Sequence, residues 1–441
     1  MVGASKGINM TSKQSIKQMM LAVASTYASA SDCELDNAGL YEKMAEAGHI
    51  SPAEIQDRKS VGKSGAGYSF ACRRLRWLQQ EARRQNLLER DPSRRGVWRL
   101  TGEGKKLFVR PEPKRVLLGF STDLGIALWG AAEDVFANLD EPICLAMTSP
   151  PYPLAKARAY GNPKPQDYAA FICRLIEPML KHMVRGASII LNVSNDVFME
   201  NSPARSTCIE RMVVALEDSL SLRLVDRVIW ANGSKPPGPV QYASIQRTHL
   251  NVGFEFCLWF TNDPKALRSD NRRVLSEHTK RQLALLRAGG EDREQRHSDG
   301  AYSLRPGKSF ASVTAGRIPR NVLRLGHACQ GQKNYKRAAR ELGLPVHGAP
   351  YPESLVRFFV NLLTEPGDLC VDLCAGSQTL PAVCEELGRP WLSSELVGEY
   401  IRGGAERLRS APGFRLHSDL LDGLRLKFSH PHMDGQQQLE L

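Results

Sequence analysis

At 441 residues the chain is too long for one ordinary domain, and two or three units are expected. Its 42% apolar and 24% charged residues are those of a globular protein and exclude wholesale disorder. Lys and Arg outnumber Asp and Glu by 59 to 47, a net charge of +12, which favours a polyanionic partner, nucleic acid first. In chain order, Met1 to Met10 lacks the apolar core of a signal peptide, and no later run reaches the length of a membrane span. A cytoplasmic chain with no membrane partner is expected. Residues 12–28 and 38–47 are helix-like and joined by a Ser/Asp/Asn-rich turn. The spacing predicts a longer helix over 68–85, with Ala71, Leu75, Leu78 and Ala82 on one stripe and Arg73, Arg74, Arg76, Arg83 and Arg84 mostly off it. Two strand-like pieces, 87–89 and 96–100, flank the turn at 91–96.

Three helices followed by a basic hairpin describe a winged helix. The run Gly96-Val97-Trp98-Arg99-Leu100-Thr101 with Gly104 resembles the N-terminal winged-helix domain of Mrr-like restriction proteins. That resemblance implies a small DNA-binding domain over 1–110. The alternative is a solvated basic helix in a protein-interaction domain. Beyond a Pro-rich linker at 111–114 the pattern becomes an alternation of strands and helices. Strands are expected at 143–148, 187–193, 224–230, 254–261, 369–374 and 391–396, and helices at 168–183 and 378–387. This predicts an α/β domain over 115–441, a sheet with helices on both faces. Residues 263–340 interrupt it with 18 Lys and Arg against 7 Asp and Glu, a net of +11. Charge so concentrated favours a nucleic-acid clamp over a merely solvated surface insertion. The ten cysteines have one close pair, Cys370 and Cys374, with no second Cys or His pair beside it. No metal site is expected.

The strongest signal is Ser149-Pro150-Pro151-Tyr152, placed directly after the strand ending at Thr148. Two prolines fix φ and remove two backbone donors, so the loop holds a carbonyl and a side-chain oxygen in rigid positions. The tyrosine adds a flat face on which a base can stack. Such an arrangement suits an exocyclic amino nitrogen, whose lone pair is delocalised into its ring. Acceptors on its two N–H groups, here the Ser149 hydroxyl and the Pro150 carbonyl, would draw the nitrogen towards tetrahedral geometry and free the lone pair. The motif resembles the catalytic loop of β-class amino-methyltransferases of DNA, in which the catalytic motif precedes the cofactor motif. Its serine form implies cytosine N4 as the target; adenine N6 is the alternative.

The resemblance extends to Val371-Asp372-Leu373-Cys374-Ala375-Gly376-Ser377-Gln378-Thr379, a strand, a small-residue turn and a helix start. The family pattern Asp-Pro-Phe-Ala-Gly-Ser-Gly-Thr is kept at Asp372, Ala375, Gly376, Ser377 and Thr379. It is broken at Leu373, Cys374 and Gln378. Glu395 ends the next strand, 23 residues after Asp372, near the spacing at which an acid reaches ribose hydroxyls. Tyr351, Ser354 and Leu355 fall in a segment similar to the one that packs on the cofactor's methionine end. The resemblance thus implies a Rossmann-like sheet that binds S-adenosylmethionine beside Ser149 at a strand-order reversal. It also implies duplex DNA as partner, base flipping and target recognition by 263–340. A monomer or homodimer is expected, with a companion restriction endonuclease as a partner to look for. A methyltransferase of RNA, or a DNA-binding regulator with a decayed catalytic domain, are the other readings.

Overall fold

The computed structural model describes residues 23, 26–27, 30, 34–46, 49–60, 67–84, 86–101, 114–137, 139–153, 163–199, 202–233, 235, 237–297, 302–418 and 420. The expected helix at 12–28 and the linker at 111–114 lie largely outside them. The first unit comprises strand β1 (Glu34–Asp36), helices α1 (Asn37–Glu46) and α2 (Pro52–Gln56), the hairpin β2 (Arg58–Ser60) and β3 (Gly67–Ser69), helix α3 (Phe70–Arg84), and strands β4 (Leu88–Arg90) and β5 (Val97–Leu100). β5 lies between β1 and β4 in an antiparallel sheet. α3 begins at Phe70, two residues later than its stripe suggests, because the Ser69 hydroxyl accepts from the Cys72 N–H and caps the first turn. Leu75, Leu78 and Ala82 pack with Leu40, Met44 and Trp98, while Ala71 is only half-buried. All five arginines of the helix face solvent. Periodicity does not reveal Gln79, which is buried and donates to the Tyr27 hydroxyl at 2.7 Å and to Asn37 Oδ1 at 3.0 Å.

The second unit is built on one ten-stranded sheet. Its strands are β6 (Leu117–Ser121), β7 (Gly125–Trp129), β8 (Ile143–Thr148), β9 (Met183–Ser194), β10 (Arg223–Ala231), β11 (Phe254–Thr261), β14 (Val322–Arg324), β15 (Leu369–Asp372), β16 (Trp391–Glu395) and β17 (Arg415–Leu416); β12 (Gln295–His297) and β13 (Tyr302–Leu304) form a separate hairpin. The order across the sheet is β14-β10-β11-β9-β8-β15-β16-β7-β6-β17. The middle five, β9, β8, β15, β16 and β7, are mutually parallel, and β11 runs antiparallel between β9 and β10.

Strands covered on both faces read as continuous apolar runs, which is why Ile143-Cys144-Leu145-Ala146-Met147 is recognisable in sequence. Alternate side chains then serve two cores. On one face Leu145, Ile190 and Cys370 meet helices α9 (Glu353–Leu363), α10 (Thr379–Leu387) and α11 (Gly398–Ala405). On the other, Ile189, Leu191 and Val371 meet α4 (Ala132–Ala137), α5 (Tyr168–Leu180) and α6 (Cys208–Leu220). Strands β6 and β7 and helix α6 have no counterpart among the sequence expectations. The expected strand at 369–374 stops at Asp372, where the chain turns.

Residues 263–340 include helix α7 (Lys280–Arg287) and the β12–β13 hairpin, but their last part belongs to the scaffold. β14 extends the sheet edge parallel to β10, and helix α8 (Gln330–Glu341) buries Gln332, Tyr335 and Ala339. Among the described residues no helix is long and apolar enough to cross a membrane.

Candidate active site

β8 and β15 are neighbours in the sheet although their paired residues Ile143 and Leu369 are far apart in sequence. From β8 the chain crosses by α5 to β9 on one side, and from β15 it crosses by α10 to β16 on the other. Strand order therefore reverses between β8 and β15, and the crevice above their C-terminal ends is where an open α/β sheet takes its ligand. Ser149, Pro150, Pro151 and Tyr152 follow β8 there and line one pocket with Tyr351, Ala375, Gly376, Ser377, Thr379 and Glu395. Asp372 lies beneath, wholly buried at the end of β15.

On the catalytic side, the Ser149 hydroxyl donates to the backbone carbonyl of Asn192 at 3.2 Å. Asn192 stands next along β9 after Leu191, which pairs with Thr148. Its own side-chain amide donates to the Phe256 carbonyl at 3.2 Å and to Glu255 Oε2 at 3.3 Å. With its hydrogen directed at Asn192, the Ser149 oxygen presents lone pairs to the pocket. It is set as an acceptor, the polarity an amino group requires. Pro150 is buried, and Tyr152 is half-buried against the α4–α6 core.

The other side is a loop stitched to β16. The Ala375 N–H donates to the Ser394 carbonyl at 3.0 Å, and the Ser394 hydroxyl donates to the Leu373 carbonyl at 2.8 Å. Glu395 accepts from the Gly376 N–H at 2.7 Å and from the Val397 N–H at 2.9 Å. Asp372 accepts from the Tyr351 hydroxyl at 2.6 Å and from the Cys374 N–H at 3.1 Å. Burial pushes the Asp372 carboxyl up to about 6, against the pull of the Tyr351 hydrogen bond. Burial likewise pushes Glu395 up to about 7, against the backbone donors that favour its charge. Two buried acids that ionise reluctantly make a site that gains from a cationic or polyhydroxylated ligand. The Cys374 thiol is pushed up too, by burial and then by Glu395, so it stays protonated and is not a nucleophile.

The broken family position at Gln378 has a geometric reading. Gln378 takes a left-handed φ of 59°, a conformation that suits glycine. Its side chain is wholly buried, and its oxygen accepts from the Ser393 hydroxyl at 2.7 Å. A methyl group on Gly404 would stand 2.4 Å from Gln378 Cγ, so the bare backbone of α11 makes room for the larger side chain. Gly376, at φ 47°, faces the His347 ring, which a Cβ would meet at 2.9 Å.

Two predicted residues do not reach the pocket. Leu355 is wholly buried among the apolar side chains below α9, and Ser354 is exposed on another face of the same helix. One helical turn cannot aim both of them, and Tyr351 as well, at one point. His347 lines the pocket without having been singled out. Its ring stands edge-on to Tyr400 at 5.0 Å, and its N–H donates to the Tyr335 hydroxyl. A lone histidine in a loop carries no local pattern that would have marked it.

This edge of the sheet thus brings the Ser149–Tyr152 loop to face a loop that carries two buried acids across one pocket. Comparison with known proteins gives the class. A family model described as DNA methylase, covering N6 and N4 enzymes, matches residues 143–406, more than half of the chain. The chain belongs to that family and is a DNA methyltransferase of the N6/N4 class. The Type II methyltransferase M.PvuII of Proteus hauseri is 29% identical over 270 residues, 61% of this chain and 78% of that protein. The Type II methyltransferase M.BglII of Bacillus subtilis is 23% identical over 272 residues, 59% of this chain and 62% of its own length. The solved structure of the PvuII DNA methyltransferase, cytosine-N4-specific, shares the fold with a TM-score of 0.53 at 24% identity, covering 70% of this chain and 93% of that one.

Proposed function

We propose that this DNA methyltransferase modifies the N4 amino group of cytosine in duplex DNA, after the base has been flipped into the switch-point pocket. S-Adenosylmethionine, the methyl donor of the class, supplies a sulfonium methyl for direct in-line transfer when bound. The observation that carries the reading is the orientation of Ser149, whose hydroxyl hydrogen is engaged by Asn192. Its oxygen and the Pro150 carbonyl then accept from the two amino N–H groups, so the nitrogen lone pair turns towards the methyl group. Tyr152 stacks on the flipped base. Glu395 and the Gly376 backbone would hold the ribose, Ala375, Ser377 and Thr379 leave room for the nucleoside, and Asp372 fixes the loop from below. Two relatives are named Type II methyltransferases, and one solved relative is named cytosine-N4-specific; both names support this reading, with a companion endonuclease as the partner to seek.

The first unit would act as a winged-helix DNA anchor. Its support is the outer face of α3, where Arg73 and Arg74 flank the exposed Trp77. Residues 263–340 would supply target recognition through their excess of cations.

The test is incubation of the full chain with S-adenosylmethionine and mixed-sequence duplex DNA, followed by nucleoside mass spectrometry. N4-methylcytosine is expected. N6-methyladenine would reassign the base, and no methylated nucleoside in DNA would overturn the reading.

A further inference from the structure

The same edge of the sheet carries a second feature, in a segment that does not line the pocket described above. After β10 the chain makes an excursion over 232–253 before returning as β11, and it is well braced from within. The rings of Tyr242 and Phe198 lie 5.3 Å apart, those of Tyr242 and His249 5.5 Å apart. The Arg205 guanidinium covers Phe198 at 4.6 Å, and His249 Nε2 meets the Pro203 carbonyl at 2.8 Å. Val252 is buried, and its N–H donates to the Gly238 carbonyl at 2.8 Å. Folding of the excursion is thus served by Tyr242, His249 and Val252.

Its outer side carries large apolar side chains that do not serve that core, set among exposed Gln241, Ser244, Gln246 and Thr248. Val240 is 59% exposed, Ile245 65% and Leu250 89%, with Met199 at 55% on the adjoining segment. A braced segment that, with Met199 beside it, leaves four large apolar side chains in solvent is a surface suited to being covered. Its charge says by what. Residues 232–253 contain no Asp or Glu; Lys235 is ion-paired with Glu255 at 3.1 Å and the neighbouring Arg205 with Asp196 at 3.8 Å, which leaves Arg247 as the exposed cation of the segment. A polyanion is the occupant that suits both the charge and the address. β10 ends on the same edge as β8 and lies three strand spacings away, roughly 14 Å. The projection therefore stands beside the catalytic loop. A base leaving the stack for that loop opens a gap whose unstacking costs a few kcal/mol, and an inserted apolar side chain offsets it.

We infer that residues 240–250 are an apolar wedge that enters the duplex at the step the target base leaves, with Leu250 leading and Ile245 behind it. The inference rests on the base-flipping reading above and adds the group that holds the gap open. Its test uses the full chain and two duplexes bearing the sequence that the wild-type chain methylates. In one the target is paired; in the other it faces an abasic site and is already loosened. The double variant Leu250→Ala, Ile245→Ala is expected to lose tenfold or more in single-turnover rate on the paired duplex and less than twofold on the loosened one. Leu250→Phe is expected to keep the wild-type rate on both. Equal losses on the two duplexes, or no loss on the paired one, would overturn the wedge. So would an unchanged rate with an altered sedimenting size, which would mark a protein interface instead. If the wild-type chain methylates no duplex from which such a sequence could be taken, the functional reading itself falls and takes the wedge with it.

Discussion

The two ends of this active edge are built on opposite principles. Around Asp372, Gly376 and Glu395 both carboxylates are buried and bonded to backbone or to Tyr351, and Ser377 in the loop and Ser393 and Ser394 on β16 are engaged as well. Around 240–250 the backbone is equally braced, yet large apolar side chains stand in solvent. In the function proposed above, the first region fits one small cofactor and gains from being fixed in advance. The second must meet a partner that changes shape on binding, so its apolar groups stay unpaired until the partner arrives. Rigidity alone does not separate the two; what separates them is whether the contacts are satisfied within the chain.

Substitutions can sharpen that contrast. The largest effect is expected for Ser149→Ala, with a loss in kcat on the order of 10²–10³, the range seen when one preorganised polar contact to a reacting group is removed. Cofactor affinity, read by calorimetry, should not change, since the Asp372 and Glu395 contacts are untouched. Next comes Asp372→Asn, which removes the charged acceptor of two hydrogen bonds. Cofactor affinity should fall about 10- to 100-fold, as for hydrogen bonds to a charged group worth roughly 1.5–3 kcal/mol. A Kd within twofold of wild type would show that the cofactor side is less finely fixed than its bonding implies.

The pH dependence has a definite sign. Both acids have folded-state values above the ordinary carboxylate range, about 6 for Asp372 and about 7 for Glu395. The stability they contribute is present below their unfolded values and is lost as pH rises through 6 to 7. The cofactor-free chain should therefore unfold at lower temperature at pH 7.5 than at pH 5.5, as far as these two groups govern it, and Glu395→Gln should flatten the trend. A cationic cofactor favours the ionised pair, so its affinity should rise over the same window. A flat binding profile would remove Glu395 from the cofactor's partners.

A smaller effect separates packing from chemistry. Gly404→Ala drives a methyl group into Gln378 and should cost about 1–3 kcal/mol, the usual range for overpacking. In a Gln378→Gly background the cost should vanish, and a double-mutant cycle of thermal unfolding reads the difference. Smallest is the charge of the first unit. Arg73→Ala with Arg74→Ala should lower the slope of log affinity against log salt by about two, with little change in methylation at low salt. An unchanged slope would take α3 off the DNA.

Much of the site was legible because its chemistry is local. Ser149 to Tyr152 are contiguous, and β8 announces itself as an unbroken apolar run. Asp372 and Glu395 stand at strand ends that small residues and acids mark plainly. Less legible were groups whose role depends on distant chain. His347 enters the pocket only because its loop is folded over Gly376, and Asn192 matters only because β9 lies beside β8. Leu355 and Ser354 show the limit of transferring a segment whole, since one lies in the core and the other in solvent. Within the fold, β6 and β7 escaped because Gly119 and Gly125 cut their apolar residues into short pieces; the structure needs Gly125 where the backbone and ring of Trp391 stand against it.

The placement of β15 also shapes how the protein comes to exist. Its pairing with β8 joins residues 143 and 369, so the centre of the sheet closes only after the 226 positions that follow Ile143, up to Leu369, have been synthesised. At about 5–20 residues per second, that is roughly 11–45 s on the ribosome. Through that interval β8 presents an apolar strand edge with unpaired N–H and C=O groups, the kind of surface on which nascent chains aggregate. That edge is the place where a chaperone would protect the nascent polypeptide, and where a strand from a neighbouring chain would compete with β15.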